Sequence, residues 1–183
     1  MDPLGRVASE LSIPDRTLRR AASDGLIRGE RVSPRRFQVT LREESYLRTH
    51  WALLRRLRAA LRTEPNVRLA VLFGSTATGT DDEDSDVDIM LALRDPGVRR
   101  LAELAERLSR ALARDVQLIR ISDAQGAPAL MVEMLEQGRV LVDRDALWPG
   151  LRQRTAQWRH VTRRNERSLP ASLGAAALDD QSS

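Results

Sequence analysis

The chain has 183 residues, 42% of them hydrophobic and only 3% aromatic, which is enough for one ordinary domain or for a small domain with a smaller companion. It has no cysteine and two well-separated histidines, His50 and His160, which excludes disulfides and thiolate metal sites and argues against a histidine zinc site. The net charge of +4 is unevenly spread: residues 1–63 carry 14 arginines against 7 acids, residues 64–147 carry 10 against 16, and residues 148–183 carry 6 against 3, so a basic head suited to an anionic partner precedes an acidic middle suited to cations.

The head opens with GRVASELSIPDRTLRRAASDGLI, residues 5–27. Val7 and Leu11 share a helix face, Ser12-Ile13-Pro14 makes a tight connection, and Pro14 opens a second helix, where its missing N–H costs nothing. Leu18 and Ala22 face inward, and Gly25 is a natural terminator before Leu26-Ile27 returns to the core. RGERVSPRRFQVTL, residues 28–41, then reads as a small β-hairpin, with Val32, Phe37 and Val39 flanking Ser33-Pro34. The second helix would turn Arg16, Thr17, Arg19 and Arg20 outward, and the hairpin adds Arg35 and Arg36.

Leu47, Trp51, Leu54, Leu57 and Leu61 repeat at three and four, so a long helix is predicted from Arg42 to Arg62, joining head to middle. The middle then alternates. Strands are expected at Val67–Phe73, Asp86–Leu93, Val116–Ile121 and Arg139–Val142. Helices are expected at Val98–Ala113, with Val98, Leu101, Leu104, Leu108 and Leu112 on one face, and at Pro128–Gln137. The fold class is α/β (α+β), a small mixed sheet flanked by helices. No long helical stripe separates the first two strands, so they should pair directly. The tail is expected to be helical to about Arg167, with Trp148 and Trp158 as core or interface anchors, and disordered from 171 onward. His50 and His160 read as surface or helix-packing residues. No stretch approaches the roughly 18 apolar residues of a membrane helix, and a cytoplasmic protein is expected.

The segment LFGSTATGTDDEDSDVDIMLAL, residues 72–93, concentrates the chemistry. Strand side chains alternate faces, so Asp86 and Asp88 share one while Val87 and Ile89 point to the core. Two carboxylates on one face repel unless a cation lies between them. Hard oxygen donors of this kind suit Mg2+, which binds through one or two carboxylates together with phosphates and water. Gly74 lets backbone approach a ligand closely, and the Ser75 hydroxyl and nearby N–H groups can hold a phosphate. A phosphate cradle beside a metal pair equips a protein for phosphoryl or nucleotidyl transfer.

Gly74-Ser75, ten residues, then Asp86-Val87-Asp88 resembles the signature of the polymerase-beta-like nucleotidyltransferases. The likeness is strongest to the minimal nucleotidyltransferases (MNT), which include antitoxins paired with HEPN toxins, and it spans about residues 67–143. It implies a fold with an antiparallel-leaning sheet and transfer of a nucleoside monophosphate from an NTP such as ATP. It also implies that Gly74 and Ser75 hold the β- and γ-phosphates while Asp86 and Asp88 ligate magnesium. The head resembles a winged helix-turn-helix, with some likeness to the N-terminal modules of MerR-type regulators. The chain departs from the nucleotidyltransferase pattern twice. Thr78 stands where many members have arginine, and Gln117 stands where members carry a third aspartate. Asp115 lies on the same face as Gln117, about 6.6 Å along the strand, and is the other candidate for that role.

These readings divide the chain into a winged helix-turn-helix DNA-binding head (1–41), a connecting helix (42–64), a nucleotidyltransferase domain (65–147), a helical extension (148–170) and a tail (171–183). They point to nucleotidyl transfer to an unknown acceptor. The alternatives are a DNA-binding regulator that senses nucleotide without turnover, and an antitoxin that acts on a toxin partner. The alternative for residues 1–41 is a small helical cap that merely packs on the catalytic domain.

Overall fold

The computed structural model describes residues 3–33 and 36–168. Arg35, the Pro34 of the hairpin turn and the tail from 171 lie outside the described residues. In chain order the elements are α1 (Pro3–Glu10), α2 (Asp15–Ser23), β1 (Glu30–Ser33), β2 (Arg36–Gln38), α3 (Leu41–Arg62), β3 (Val67–Phe73), α4 (Gly74–Thr78), β4 (Val87–Leu93), α5 (Val98–Leu112), β5 (Val116–Arg120), α6 (Ile121–Gln125), α7 (Pro128–Gln137), β6 (Arg139–Asp143), α8 (Leu147–Gln153) and α9 (Thr155–Ser168).

In the head, α1 buries Leu4, Val7 and Ala8, and α2 buries Leu18, Ala21 and Ala22. The second helix ends as its sequence dictates. Gly25 takes φ +83, its N–H donates to Ala22 O at 3.2 Å, and Leu26 N–H donates to Ala21 O at 3.0 Å, the paired reverse bonds of a glycine-terminated helix. β1 and β2 pair antiparallel. Thr40 caps α3 by accepting from Glu43 N–H at 3.2 Å.

The sheet has the order β5-β4-β3-β6, with β3 antiparallel to both β4 and β6, and β4 parallel to β5. β3 and β4 pair directly, as the missing helical stripe implies. One face of the sheet (Ala70, Leu72, Val87, Ile89, Leu91) packs on α3 and α5 and continues into the apolar residues of α1 and α2. The other face (Leu69, Val71, Phe73, Met90, Val140) packs on Met131, Met134 and Leu135 of α7 and on Trp148 of α8. The head therefore shares one continuous hydrophobic core with the sheet.

Several boundaries differ from the sequence expectation. Asp86 lies just before β4 rather than within it. Ile121 opens α6 instead of ending β5, and the tail helix is interrupted at Arg154. Gly74-Ser75, expected as a turn, opens the single-turn helix α4. Among the described residues, no helix is long and apolar enough to cross a membrane.

Candidate active site

The antiparallel register sets Phe73, the last residue of β3, against Asp88 near the start of β4. Val87 and Ile89 are fully buried toward α3 and α5, so Asp88 faces the α7 side together with Met90. The chain leaves β3 through Gly74 at φ +69, and a Cβ added there would lie 2.6 Å from Asp88 Oδ2. The left-handed turn and the close approach both favour glycine. Thr76, fully buried, donates its hydroxyl to Asp86 O at 3.2 Å and so ties α4 to the segment that leads into β4. Thr78 folds back on its own helix, donating to Gly74 O at 3.2 Å and Ser75 O at 3.0 Å.

Burial, the charge of Asp86 and then the charge of Glu133 on α7 all raise the Asp88 carboxyl above its ordinary pKa. Glu133 escapes notice in the sequence because nothing in its local pattern separates it from an ordinary surface acid of an amphipathic helix. Gln117 pairs in register with Asp88 on the parallel side, and its Nε2 donates to Asp86 Oδ2. The Gln117 side chain is therefore in contact with the Asp86 carboxylate. Asp115 instead lines a hollow of about 450 Å³ with Glu83, Asp84 and Arg110 at the C-terminal end of α5, and neither Asp86 nor Asp88 lines that hollow. Among the described residues, no group of three or more His, Cys, Asp or Glu is arranged to hold a metal ion. The donors present are the two carboxylates, Asp88 held above its ordinary pKa by burial first and by the Asp86 charge second. That set fits magnesium, which needs only one or two carboxylates when phosphates and water complete its shell.

The acidic loop before Asp86 is not a freely solvated run. Asp81 accepts from Arg114 Nη1 at 3.0 Å and lies 2.8 Å from His50 Nε2. Asp82 accepts from the Ser85 hydroxyl at 2.6 Å, and Arg114 Nη2 donates to Ser85 O at 2.5 Å. A buried network behind the loop connects it to α3 and β6. Tyr46 donates to Thr76 O at 3.0 Å, and its ring stacks on His50 at a centroid distance of 4.3 Å. Burial pushes its phenol up to about 12, partly offset by the Arg139 charge. Arg139, 1% exposed, lies 3.5 Å over the Tyr46 ring, forms two hydrogen bonds to Glu43 at 2.5 and 2.9 Å, and donates to Ala77 O at 2.7 Å. Tyr46, His50, Arg114 and Arg139 lie 30 to 62 residues from their partners around α4 and the acidic loop, so only tertiary structure brings them together.

The outward residues of the head are more dispersed. Arg16 and Thr17 are exposed on α2, Arg19 pairs with Asp15 at 2.5 Å, Arg20 is exposed, and Arg36 is exposed on β2.

The polymerase beta nucleotidyltransferase model matches residues 55–147. The chain belongs to this family. A search of curated proteins found no match. Among solved structures, this chain is similar to a chain of a toxin–antitoxin structure with AMP-PNP (26% identity over 62% of this chain and 93% of that one, TM-score 0.53). It is also similar to a chain of a mutant of the toxin–antitoxin pair MntA-HpeT (27% identity, 62% and 91% coverage, TM-score 0.51). The fold likewise matches a chain from the tri-AMPylated Shewanella oneidensis HEPN toxin in complex with its MNT antitoxin (23% identity, 65% and 94% coverage, TM-score 0.50). The nucleotidyltransferase fold is thus common to this chain and to structures of MNT-type toxin–antitoxin pairs.

Proposed function

We propose that the chain binds an NTP such as ATP with Mg2+ at Asp86 and Asp88 and transfers its nucleoside monophosphate to an acceptor hydroxyl. The observation that carries this reading is the Asp88 carboxylate seated against the missing Cβ of Gly74 beside Asp86, within a nucleotidyltransferase fold. In the reaction, a bond forms between the acceptor oxygen and the α-phosphorus, the bond from that phosphorus to the pyrophosphate oxygen breaks with pyrophosphate leaving, and the acceptor proton passes to water. Bound magnesium would supply charge neutralisation at the phosphates. Asp86 and Asp88 would hold it, and Gly74 and Ser75 would receive the β- and γ-phosphates. Thr76 and Arg114 keep the loop and the start of β4 fixed, so that the carboxylates need not be ordered on binding.

Gln117 sets the rate. An amide cannot take the acceptor proton, and general-base help is typically worth roughly 10²- to 10⁴-fold. The chain therefore binds NTP and metal but transfers slowly. Pyrophosphate release in single turnover should rise in Gln117→Asp and stay unchanged in Asp115→Asn. A fast wild-type rate that collapses in Asp115→Asn would assign the base to Asp115.

The antitoxin reading has its own support. A similar chain, 26% identical, comes from a toxin–antitoxin structure with AMP-PNP. On this reading the acceptor is a partner protein of toxin type, and the test is adenylate transfer from labelled ATP to a co-expressed HEPN protein. For the head, the two short helices and hairpin support DNA binding through Arg16, Thr17, Arg19, Arg20, Arg35 and Arg36. Duplex affinity should then fall by about 0.9 log units per log unit of salt for each phosphate contacted. Absence of duplex binding by the full chain would leave the head as a cap.

A further inference from the structure

A cleft of about 950 Å³ lies where α2, the C-terminal end of α3, β6 and α8 meet. It occupies the β6 edge of the sheet, so β3 separates it from Asp86 and Asp88 on the β4 side. Its walls carry a surplus of arginine. Among the described residues, the guanidinium groups of Arg20, Arg62 and Arg152 make no hydrogen bond or ion pair, whereas the acids of the cleft are all engaged. Asp24 pairs with Arg58 at 2.5 Å, and Glu136 pairs with Arg159 at 2.6 Å. Asp143 accepts from Leu147 N–H at 2.9 Å and Trp148 N–H at 3.0 Å. Arg58 leaves its Nε buried without a partner. Arg62 lies in the combined field of Arg58 and Arg20, with Asp24 alone opposing it, and its guanidinium is held below its ordinary pKa, chiefly by Arg58. Like charges gathered around one opening are costly unless an anion joins them.

We propose that this cleft is a second anion site, built to take a ligand carrying more than one phosphate group. A carboxylate brings one charge and two acceptor oxygens. A phosphate brings more charge and three acceptor oxygens, a better match for several guanidinium forks converging from different elements. The cleft volume suits a nucleotide-sized ligand, and Phe37 and Trp148 line the same space with aromatic surface. The phosphates can belong to a free nucleotide or to the backbone of a nucleic-acid strand.

The test uses the full chain carrying Asp86→Ala and Asp88→Ala, in EDTA, so that the metal-dependent site contributes nothing. Probes are ATP, inorganic triphosphate, a short single-stranded oligonucleotide and poly-glutamate, with binding measured at two salt concentrations. The site predicts metal-independent binding of phosphate probes that weakens with salt and falls by about tenfold or more in Arg62→Ala/Arg152→Ala. Both residues are exposed and off α2, so duplex contacts of the head are untouched, and Arg152→Glu alone gives an independent readout. Binding of ATP and triphosphate assigns a free nucleotide, and binding of the oligonucleotide alone assigns a strand. Poly-glutamate binding as tight as triphosphate, no binding of any phosphate probe, or affinity unchanged in the arginine variants would overturn the proposal. None of these outcomes depends on whether Asp86 and Asp88 hold magnesium.

Discussion

The Cβ that Gly74 lacks would lie 2.6 Å from Oδ2 of Asp88. Backbone and carboxylate occupy one space, and the link between the two sequence motifs is this contact. Gly74→Ala has two consequences. Its φ of +69 becomes a left-handed conformation for a residue with a side chain, costing roughly 1–2 kcal/mol, and Asp88 is pushed from its position. Thermal melting should fall by several degrees, and Mg-ATP affinity should fall by more than the stability loss accounts for. A variant that melts lower but titrates with ATP like the wild type would detach Gly74 from the site.

Arg139 and Glu43 form a nearly solvent-free ion pair that also holds the carbonyl end of α4. Removing one partner of such a pair strands a buried charge, typically at about 3–5 kcal/mol. Arg139→Met should cost that much in urea unfolding. Arg139→Met combined with Glu43→Leu should recover much of the loss, because both charges are then gone. A double variant no better than the single would show that the hydrogen bond to Ala77 O, rather than the stranded charge, dominates.

Asp81 gives a pH dependence. Burial alone would raise its carboxyl, but hydrogen bonds from His50 and Arg114 outweigh it and hold the carboxyl below its ordinary value. A carboxyl whose pKa is lower in the folded state stabilises the fold above its unfolded pKa, about 3.9, and loses that contribution as pH falls through the folded value. The stability gap between wild type and Asp81→Asn should be full near neutrality, narrow below pH of about 4, and close in stronger acid. A gap that stays constant down to roughly pH 2.5 would contradict the assignment.

Much of the sheet was legible because its signals are local. Val67–Phe73 is an apolar run long enough for a buried strand, and the Asp86-Val87-Asp88 alternation fixes which face the carboxylates share whether or not Asp86 itself is counted in the strand. The helix at Gly74–Thr78 was not legible. Glycine, serine and threonine are poor helix formers, and α4 is held from outside. Tyr46, Arg28, Arg139 and Arg42 donate to the carbonyls of Thr76, Ala77 and Thr78. Those donors come from α3, the segment after α2, and β6, and no local pattern announces them. The same reason hides His50. Its neighbours read as an ordinary helix face, while its Nε2 reaches Asp81 31 residues on. Gln117 could be placed by register counting, but its bond to Asp86 could not.

Asp86 and Asp88 are proposed to bind NTP through a divalent cation. The most direct test is calorimetric titration of ATP into wild type, Asp86→Ala and Asp88→Ala, each with magnesium and with EDTA, alongside melting curves that confirm folding. The wild type should show a magnesium-dependent binding event that is absent in both variants. An equal magnesium-dependent affinity in either variant, or wild-type binding at this site that survives EDTA undiminished, would contradict the proposal.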